Sequence, residues 1–260
     1  MSGARIHATA VIAAGAELGT DVSVGAYSVL GPRVRVGDRT SVAPHVVVEG
    51  STSIGARNQI FQFASIGAVP QDLKYHGEDS ALIIGDDNRI REFCTLQPGT
   101  AGGGMITRIG SGNLLMNYSH IAHDCILGDR CVIANGVQLG GHVTIEDGVV
   151  LGALAGIHQF VRIGESAIVG AGSMVSLDVP PFCNATGDRA TLHGLNTLGL
   201  KRRGFSDQTI QALKRAYRIM FQSKLRVAEA AARVRARLPG IPEVERFVAF
   251  IEGSERGVCR

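Results

Sequence analysis

Four of the chain's eight histidines, His120, His123, His142 and His158, fall into one strip if the chain repeats every 18 residues. Position 123 then lies in line with 141 and 159. His142 and His158 each sit within one residue of that line, and His120 precedes it by three. Asp124 follows His123 directly, and Gln159 follows His158. A lone imidazole on a protein surface is ordinarily just solvated, whereas imidazoles stacked on neighbouring coils, one beside a carboxylate, make a candidate site. Two chemistries suit the set. Three neutral imidazoles can bind zinc and activate a water. Alternatively, one imidazole polarised by a carboxylate can act as a general base on an alcohol that attacks an acyl group. The second chemistry needs a turn at Asp124 or a carboxylate from elsewhere, because adjacent residues of a strand point to opposite faces.

The 18-residue coil is written into the chain as hexapeptides. Aliphatic residues occupy every sixth position from Ile6 to Ile66, again at Ile84, Ile90 and Leu96, and without a break from Ile109 to Val175. A period of six fits neither an amphipathic helix nor an alternating strand, and predicts a β-helix whose coils each combine three short strands and three turns. Aliphatics in one phase stack from coil to coil into a continuous core, each contributing roughly 1.5–3 kcal/mol gross on burial. The residue two before each aliphatic is small or branched (Ala10, Val22, Ser28, Ala64) and points inward beside it. Glycine follows the aliphatic in many repeats, as at Gly19, Gly25, Gly37 and Gly55, and is expected where the chain turns a corner.

Two segments break the rhythm: the polar stretch 67–83 and the glycine-rich stretch 99–107. Both are expected to be loops thrust out of a regular wall, where function tends to concentrate. The repeat ends at Val175, before Val179-Pro180-Pro181. Helical patterns follow: one opened by an N-cap at Ser206, a second over about Val227 to Leu238, and a third from Pro242 to about Glu252. The expected organisation is a β-solenoid over 1–183 and a small α-helical domain over 184–260 that covers the end of the stack.

Composition narrows the function classes. The five cysteines are an odd number, and Cys94, Cys125 and Cys131 share the small inward position, so they read as buried residues in a reducing compartment. Residues 8–16 could pass for a signal-peptide core, but the six-residue phase already explains them and only Arg5 supplies a preceding charge. No apolar run is long enough to span a membrane. Net charge is +3, with local basic clusters at Lys201-Arg202-Arg203 and at Arg226, Arg233, Arg235 and Arg237. Tryptophan is absent, and no basic–aromatic interleaving suggests a nucleic-acid partner.

The hexapeptide array occurs together with QDLKY at Gln71–Tyr75, HIAHDC at His120–Cys125, GH at Gly141-His142 and HQF at His158–Phe160. DVPP at Asp178–Pro181 and GLKRRGF at Gly199–Phe205 complete the set. In this combination, and along essentially the whole chain, the sequence resembles the UDP-N-acetylglucosamine 3-O-acyltransferase family. The resemblance implies a left-handed parallel β-helix that forms a cytoplasmic homotrimer with clefts between subunits. It implies transfer of an (R)-3-hydroxyacyl group from acyl carrier protein to the 3-hydroxyl of the sugar in UDP-N-acetylglucosamine, opening lipid A synthesis, with no metal or other cofactor. Under it His123 is the general base, Asp124 its orienting carboxylate, and the Gly141 N–H the oxyanion donor. Gln71, Asp72 and Lys74 would hold sugar or acyl group, and loop 67–83 would reach a neighbouring subunit. His120, His142, His158 and Gln159 would line the groove, and Asn196, Arg202 and Arg203 would serve the nucleotide. The tail's basic residues would dock the carrier protein, and Ala171 would bear on acyl length. The chain departs from the family pattern at Leu198, where that pattern has Glu, and at Gln97-Pro98-Gly99, where it has His-Arg-Gly. The rival readings are a zinc lyase on the same solenoid, a scaffold without catalysis, and a related acyltransferase using an amine acceptor or a coenzyme A donor.

Overall fold

The structure, a computed structural model, describes residues 3–260. Twenty-six short parallel strands, from Arg5–Ile6 to Met174–Val175, each end on one of the aliphatic residues of the hexapeptide phase. They sort into three sheets that form the faces of a prism. The first face runs from Arg5–Ile6, the second from Val11–Ile12 and the third from Glu17–Leu18. Away from the two excursions, residues 18 apart are paired within each face, as Arg5 with Ser23 and Val11 with Val29. The β-helix expected from the repeat, left-handed as the resemblance implies and followed by helices, is the fold present.

Inside the prism, Ile121, Leu139 and Ile157 stack in one column with at most 3 % exposure. Cys94, Cys125 and Cys131 occupy inward positions as expected, with Sγ 3.2 Å from the carbonyls of Met116, Gly140 and Glu146. Burial pushes the Cys94 and Cys125 thiols up to about 12, and all five cysteines are free and buried. Asn58, Asn88 and Asn113 form an internal ladder, each Oδ1 accepting the backbone N–H of the residue stacked above it.

The corners differ from the expectation in an instructive way. The residues that turn the chain are mostly not glycine: Asp21, Tyr27, Arg39, His45, Asp124 and His142 all have φ near +60°. The glycines after the aliphatics serve close packing of one coil on the next. A Cβ on Gly25 would lie 2.5 Å from Pro44 N, and one on Gly37 would lie 2.6 Å from the Gly55 carbonyl carbon. At one corner the left-handed residues form an exposed ladder of stacked rings, Tyr27, His45, Phe63, Phe93 and Tyr118, with centroids 4.8–5.3 Å apart.

The two excursions are shorter than the sequence suggested. The first, expected over 67–83, rejoins the wall at Ala81, and Leu82 is fully buried opposite Thr52. The second, expected over 99–107, rejoins it at Ile106 after a 3₁₀ turn at Ala101–Gly103. Neither costs the stack its register, because Ala81 pairs with Ser51 on one side and Ile106 on the other.

Beyond the last coil, Cys183–Thr186 extends the first face and pairs antiparallel with Thr191–Leu195. Four helices follow: α1 (Thr197–Arg202), α2 (Asp207–Gln222), α3 (Val227–Arg237) and α4 (Pro242–Glu252). Ser206 caps α2 as expected, its Oγ accepting the Thr209 N–H at 3.0 Å. The sequence reading missed α1 and the strand before it; α1 is only six residues long and its cap is Asn196. Helices α2–α4 have their own core around Leu213, Val234 and Phe247. That core joins the last coil through Phe182 and Cys183, and Arg246 pairs with Glu165 at 2.8 Å.

Ile121 has no exposure and belongs to the core column beneath the histidine strip. Its replacement by Ala is expected to lower unfolding free energy by about 2–5 kcal/mol. Denaturant unfolding of wild type and variant measures this, and a loss below one kcal/mol would mean that the coil collapses around the void.

Candidate functional site

The histidine strip lies at the corner between the second and third faces. His120 ends the turn-to-strand step onto the second face, paired with Thr95 and Gln138 in neighbouring coils. His123 and Asp124 form the turn that follows. Because Asp124 has φ of 60°, its side chain swings back toward its predecessor, and the carboxylate meets the imidazole although the residues are adjacent. His123 Nδ1 and Asp124 Oδ2 are 2.8 Å apart. The turn that the sequence reading required is therefore present.

Stacking by 18 sets the neighbours. Asp124, His142 and Phe160 all have left-handed φ and occupy equivalent places in successive coils. His142 N–H donates to the His123 carbonyl at 3.0 Å, and Phe160 N–H to that of Gly141. The His142 ring lies flat on Phe160, with centroids 4.3 Å apart, and edge-on to His123 at 5.1 Å. Below the His123 ring sits Gly141. A Cβ there would lie 2.5 Å from His123 Cε1 and 2.7 Å from Nε2, so only glycine lets the ring take this position.

The glycine-rich excursion closes over Asp124. Its carboxylate accepts from the Thr100 N–H at 2.9 Å and the Thr100 hydroxyl at 2.6 Å, while the Asp124 N–H donates to Thr107 Oγ1 at 2.7 Å. Gly103 packs directly on the carboxylate, and a Cβ there would overlap Asp124 Cγ. Asp124 is left with a side-chain exposure of 1 %. Thr100, Gly103 and Thr107 were not singled out by sequence; the glycine-rich composition of 99–107 was the available signal.

His123, Asp124 and His142 also lie close enough to suggest a metal cluster, with ligand atoms within 4.8 Å of one another. The donor set fits a metal poorly. Asp124 already accepts three hydrogen bonds, two of them from Thr100, and His123 Nδ1 is turned to the carboxylate.

A cleft of about 870 Å³ opens on the second face beside this corner. Its walls include His120, His123, Gly141, His158 and Gln159, and Gln71 from the first excursion. The outward column Gln138, Gly156, Met174 runs along its floor, and Asp188 and Arg189 stand at the far end. A Cβ on Gly156 would meet Met174 Sδ at 2.8 Å, so the Met174 side chain lies over Gly156 and fills that part of the floor. His120 Nδ1 is bonded to Thr95 Oγ1 at 2.7 Å. Burial holds the His120 imidazole below its ordinary range, and His123 adds to the effect. Burial likewise lowers His142, opposed by the charges of Asp124 and Asp72.

Other candidates fall elsewhere. The loop expected to reach a neighbouring subunit is tied at its start to its own wall, the Gln71 N–H donating to Gln97 Oε1 at 3.2 Å. Asp72 sits on that loop near His142, and Lys74 is exposed. His142 is part of the corner and is not among the residues lining the cleft; neither is Ala171, which lies in the turn before Met174. Asn196 and Arg203 are at a different corner, bonded to the carbonyls of Ser166 and Gly148 respectively. Arg202 and Leu198 are exposed on α1. Among the described residues no helix is long and apolar enough to cross a membrane.

Comparison with known proteins places this arrangement. Residues 178–259 match the family described as UDP-N-acetylglucosamine O-acyltransferase, domain 2, and residues 106–141 match the bacterial transferase hexapeptide. The acyl-[acyl-carrier-protein]–UDP-N-acetylglucosamine O-acyltransferase of Thiobacillus denitrificans is 48 % identical over 99 % of this chain and 100 % of its own. That of Myxococcus xanthus is 54 % identical over 77 % of this chain and 78 % of its own. The LpxA structure from Acinetobacter baumannii superposes with a TM-score of 0.96 at 46 % identity, covering 98 % of this chain and 99 % of the other.

Thr100→Val removes the hydroxyl donor from a buried carboxylate and is expected to cost about 1–3 kcal/mol of stability. Urea unfolding measures it, and an unchanged midpoint would show that the clamp contributes nothing. His120 supplies a pH test with a definite sign. Its folded imidazole resists protonation, while in the unfolded chain it titrates at about 6.5. The unfolded state therefore binds more protons below that pH, and stability falls as pH drops through it toward the lowered folded value. Replacing His120 by Gln should flatten that slope; an equal slope would place the acid sensitivity elsewhere.

Proposed function

The chain belongs to the acyl-[acyl-carrier-protein]–UDP-N-acetylglucosamine O-acyltransferase family and is an O-acyltransferase, and from that premise we propose how its cleft works. It takes an (R)-3-hydroxyacyl group from acyl carrier protein and places it on the 3-hydroxyl of the sugar in UDP-N-acetylglucosamine, the first step of lipid A biosynthesis in the cytoplasm. The observation that carries this reading is the His123–Asp124 contact at the edge of the cleft, with Gly141 against the other side of the ring.

In the proposed mechanism His123 Nδ1–H donates to Asp124, which leaves Nε2 unprotonated and able to accept the sugar hydroxyl proton. The alkoxide oxygen attacks the thioester carbonyl of the acyl donor. The resulting oxyanion is held by the Gly141 N–H, which takes no protein acceptor among the described residues. Collapse breaks the carbon–sulfur bond, and the imidazolium returns the proton to the departing thiolate. Asp124 stabilises that imidazolium, and Thr100 keeps the carboxylate oriented toward it.

The remaining roles follow the cleft. His120, His158 and Gln159 line it, and Gln71, Asp72 and Lys74 bring the first excursion to the sugar and acyl group. The acyl chain runs along the cleft floor and stops at the Met174 side chain that covers Gly156, so Met174 takes precedence over Ala171 in limiting chain length. Asn196 and Arg203 are tied to another corner, and we assign their part in nucleotide binding, with the exposed Arg202, to the cleft of a neighbouring copy. That arrangement requires the homotrimer. For the carrier protein, Arg226, Arg233 and Arg237 are exposed, whereas Arg235 is engaged by Glu245 and Glu252.

The test is to incubate the protein with UDP-N-acetylglucosamine and a ladder of 3-hydroxyacyl carrier proteins, reading products by mass spectrometry. An O-acylated UDP-sugar is expected from wild type. His123→Ala should stay folded and lose activity by at least about a hundredfold, as expected for removing a general base. Transfer retained by that variant would exclude His123 as the base, and product formed only with an amino-sugar acceptor would move the reading to the amine branch.

A further inference from the structure

The C-terminal segment after α4 returns to the last coil of the solenoid. The Asp178 N–H donates to the Gly257 carbonyl at 3.0 Å, and the Cys259 N–H donates to the Asp178 carbonyl at 2.8 Å. Ser254 Oγ donates to the buried Asp178 carboxylate at 2.8 Å, whose other oxygen accepts the Arg162 N–H. Val258 and Cys259 are buried. This docking sets Arg256 behind the cleft wall, with Nη2 3.2 Å from His158 Nδ1 and 3.4 Å from the Ser176 carbonyl. His158 and Ser176 line the cleft, and Arg256 does not.

His158 Nδ1 thus has two neighbours that make opposite demands. The Gln159 carbonyl lies 3.0 Å away and can only accept, which would require a proton on Nδ1. The Arg256 guanidinium can only donate, which requires a lone pair there. One nitrogen cannot satisfy both, so the two tautomers of the ring compete. A second N–H directed at a cation is unfavourable, and the guanidinium stays in place although its Nε is buried with no partner among the described residues.

We propose that Arg256 is a positioning residue that fixes the tautomer of His158. Nδ1 accepts from Arg256, the ring proton resides on Nε2, and the cleft receives an N–H donor in place of an acceptor. Its ligand is an acceptor oxygen of the bound substrates, a carbonyl or hydroxyl of the acyl donor or the sugar. This rests on reading the cleft as the acyl-transfer site. His123 and His158 then present opposite faces to the substrates: an unprotonated nitrogen that takes a proton, and a protonated one that holds an oxygen.

The experiment records long-range ¹⁵N–¹H imidazole spectra of the full-length protein, with His158 identified by signal loss in His158→Gln. Wild type and Arg256→Lys are expected to show the Nε2–H form, and Arg256→Met the Nδ1–H form bonded to Gln159. In the acyl-transfer assay, kcat/KM should fall about tenfold in Arg256→Met, the scale of one hydrogen bond to substrate, and recover in Arg256→Lys. An Nδ1–H signal in wild type, or an unchanged tautomer in a folded Arg256→Met, overturns the proposal. If Arg256→Met fails to fold, the wild-type and Arg256→Lys spectra decide between the two forms. If wild type transfers no acyl group, the functional reading fails while the spectra still decide the role of Arg256.

Discussion

Each coil of this chain must lie on the previous one in register, and everything else in the structure depends on that constraint. A strand displaced by one residue would turn its inward aliphatic to solvent and its outward residue into the core. The chain tolerates additions between strands but not slippage within them. The interval from Ser51 to its partner Ala81 is 30 residues, and from Ala81 to Ile106 it is 25, yet both pairs are in line. Once registry is fixed, position in sequence becomes position on a wall. That is why residues as distant as Thr95 and Met174 stand in one column of the second face.

The same constraint converts a local backbone feature into an imidazole–carboxylate contact at the cleft. His123 and Asp124 on a continuous strand would face opposite ways. At a corner of the prism the second residue takes a left-handed conformation, and the carboxylate comes round to the ring. Repetition then supplies the surroundings. The next coil places Gly141 under the imidazole and His142 over the place held by Asp124, and the following one adds Phe160. Left-handed φ is unfavourable for residues with a Cβ, so a single such turn would be a weak foundation. Stacked turns reinforce one another through backbone bonds such as His142 N–H to His123 carbonyl.

The sequence made the periodic part legible because periodicity is a direct image of burial. The aliphatic phase located every strand of the prism, and the 18-residue interval gathered the histidines before any coordinates were needed. The non-periodic contacts were not legible. Thr100 lies 24 residues from Asp124, and no spacing rule connects a loop hydroxyl to a carboxylate. The glycines after the aliphatics were legible only in part for a related reason. Glycine signals both a left-handed turn and a close approach, and only geometry shows that obstruction of a Cβ by the next coil is what these positions share. Asn196 and Arg203 were placed near the nucleotide by resemblance, whereas within one chain they hold α1 against the corner of Ser166 and Gly148. Loop 67–83 illustrates the limit from the other side, since its polar composition announced an excursion but not that Gln97 would hold it against its own strip.

A division of labour follows between regular and irregular parts. The repeat can place an imidazole to within a residue, but it cannot choose which nitrogen carries the proton, because every coil offers the same backbone groups. That choice comes from segments outside the repeat. The glycine-rich excursion brings Thr100 to Asp124, and the carboxylate it holds lies 2.8 Å from His123 Nδ1. Arg256 comes from the tail to His158; His120 is the exception, met by Thr95 of the wall itself. A glycine at 103 is required because the excursion must lie directly on the carboxylate it orients. The solenoid therefore acts as a ruler for position, and its interruptions carry the electrostatics. An insertion into this fold is tolerated thermodynamically wherever register resumes, and the one at 99–105 lands on the histidine corner and brings Thr100 to its carboxylate.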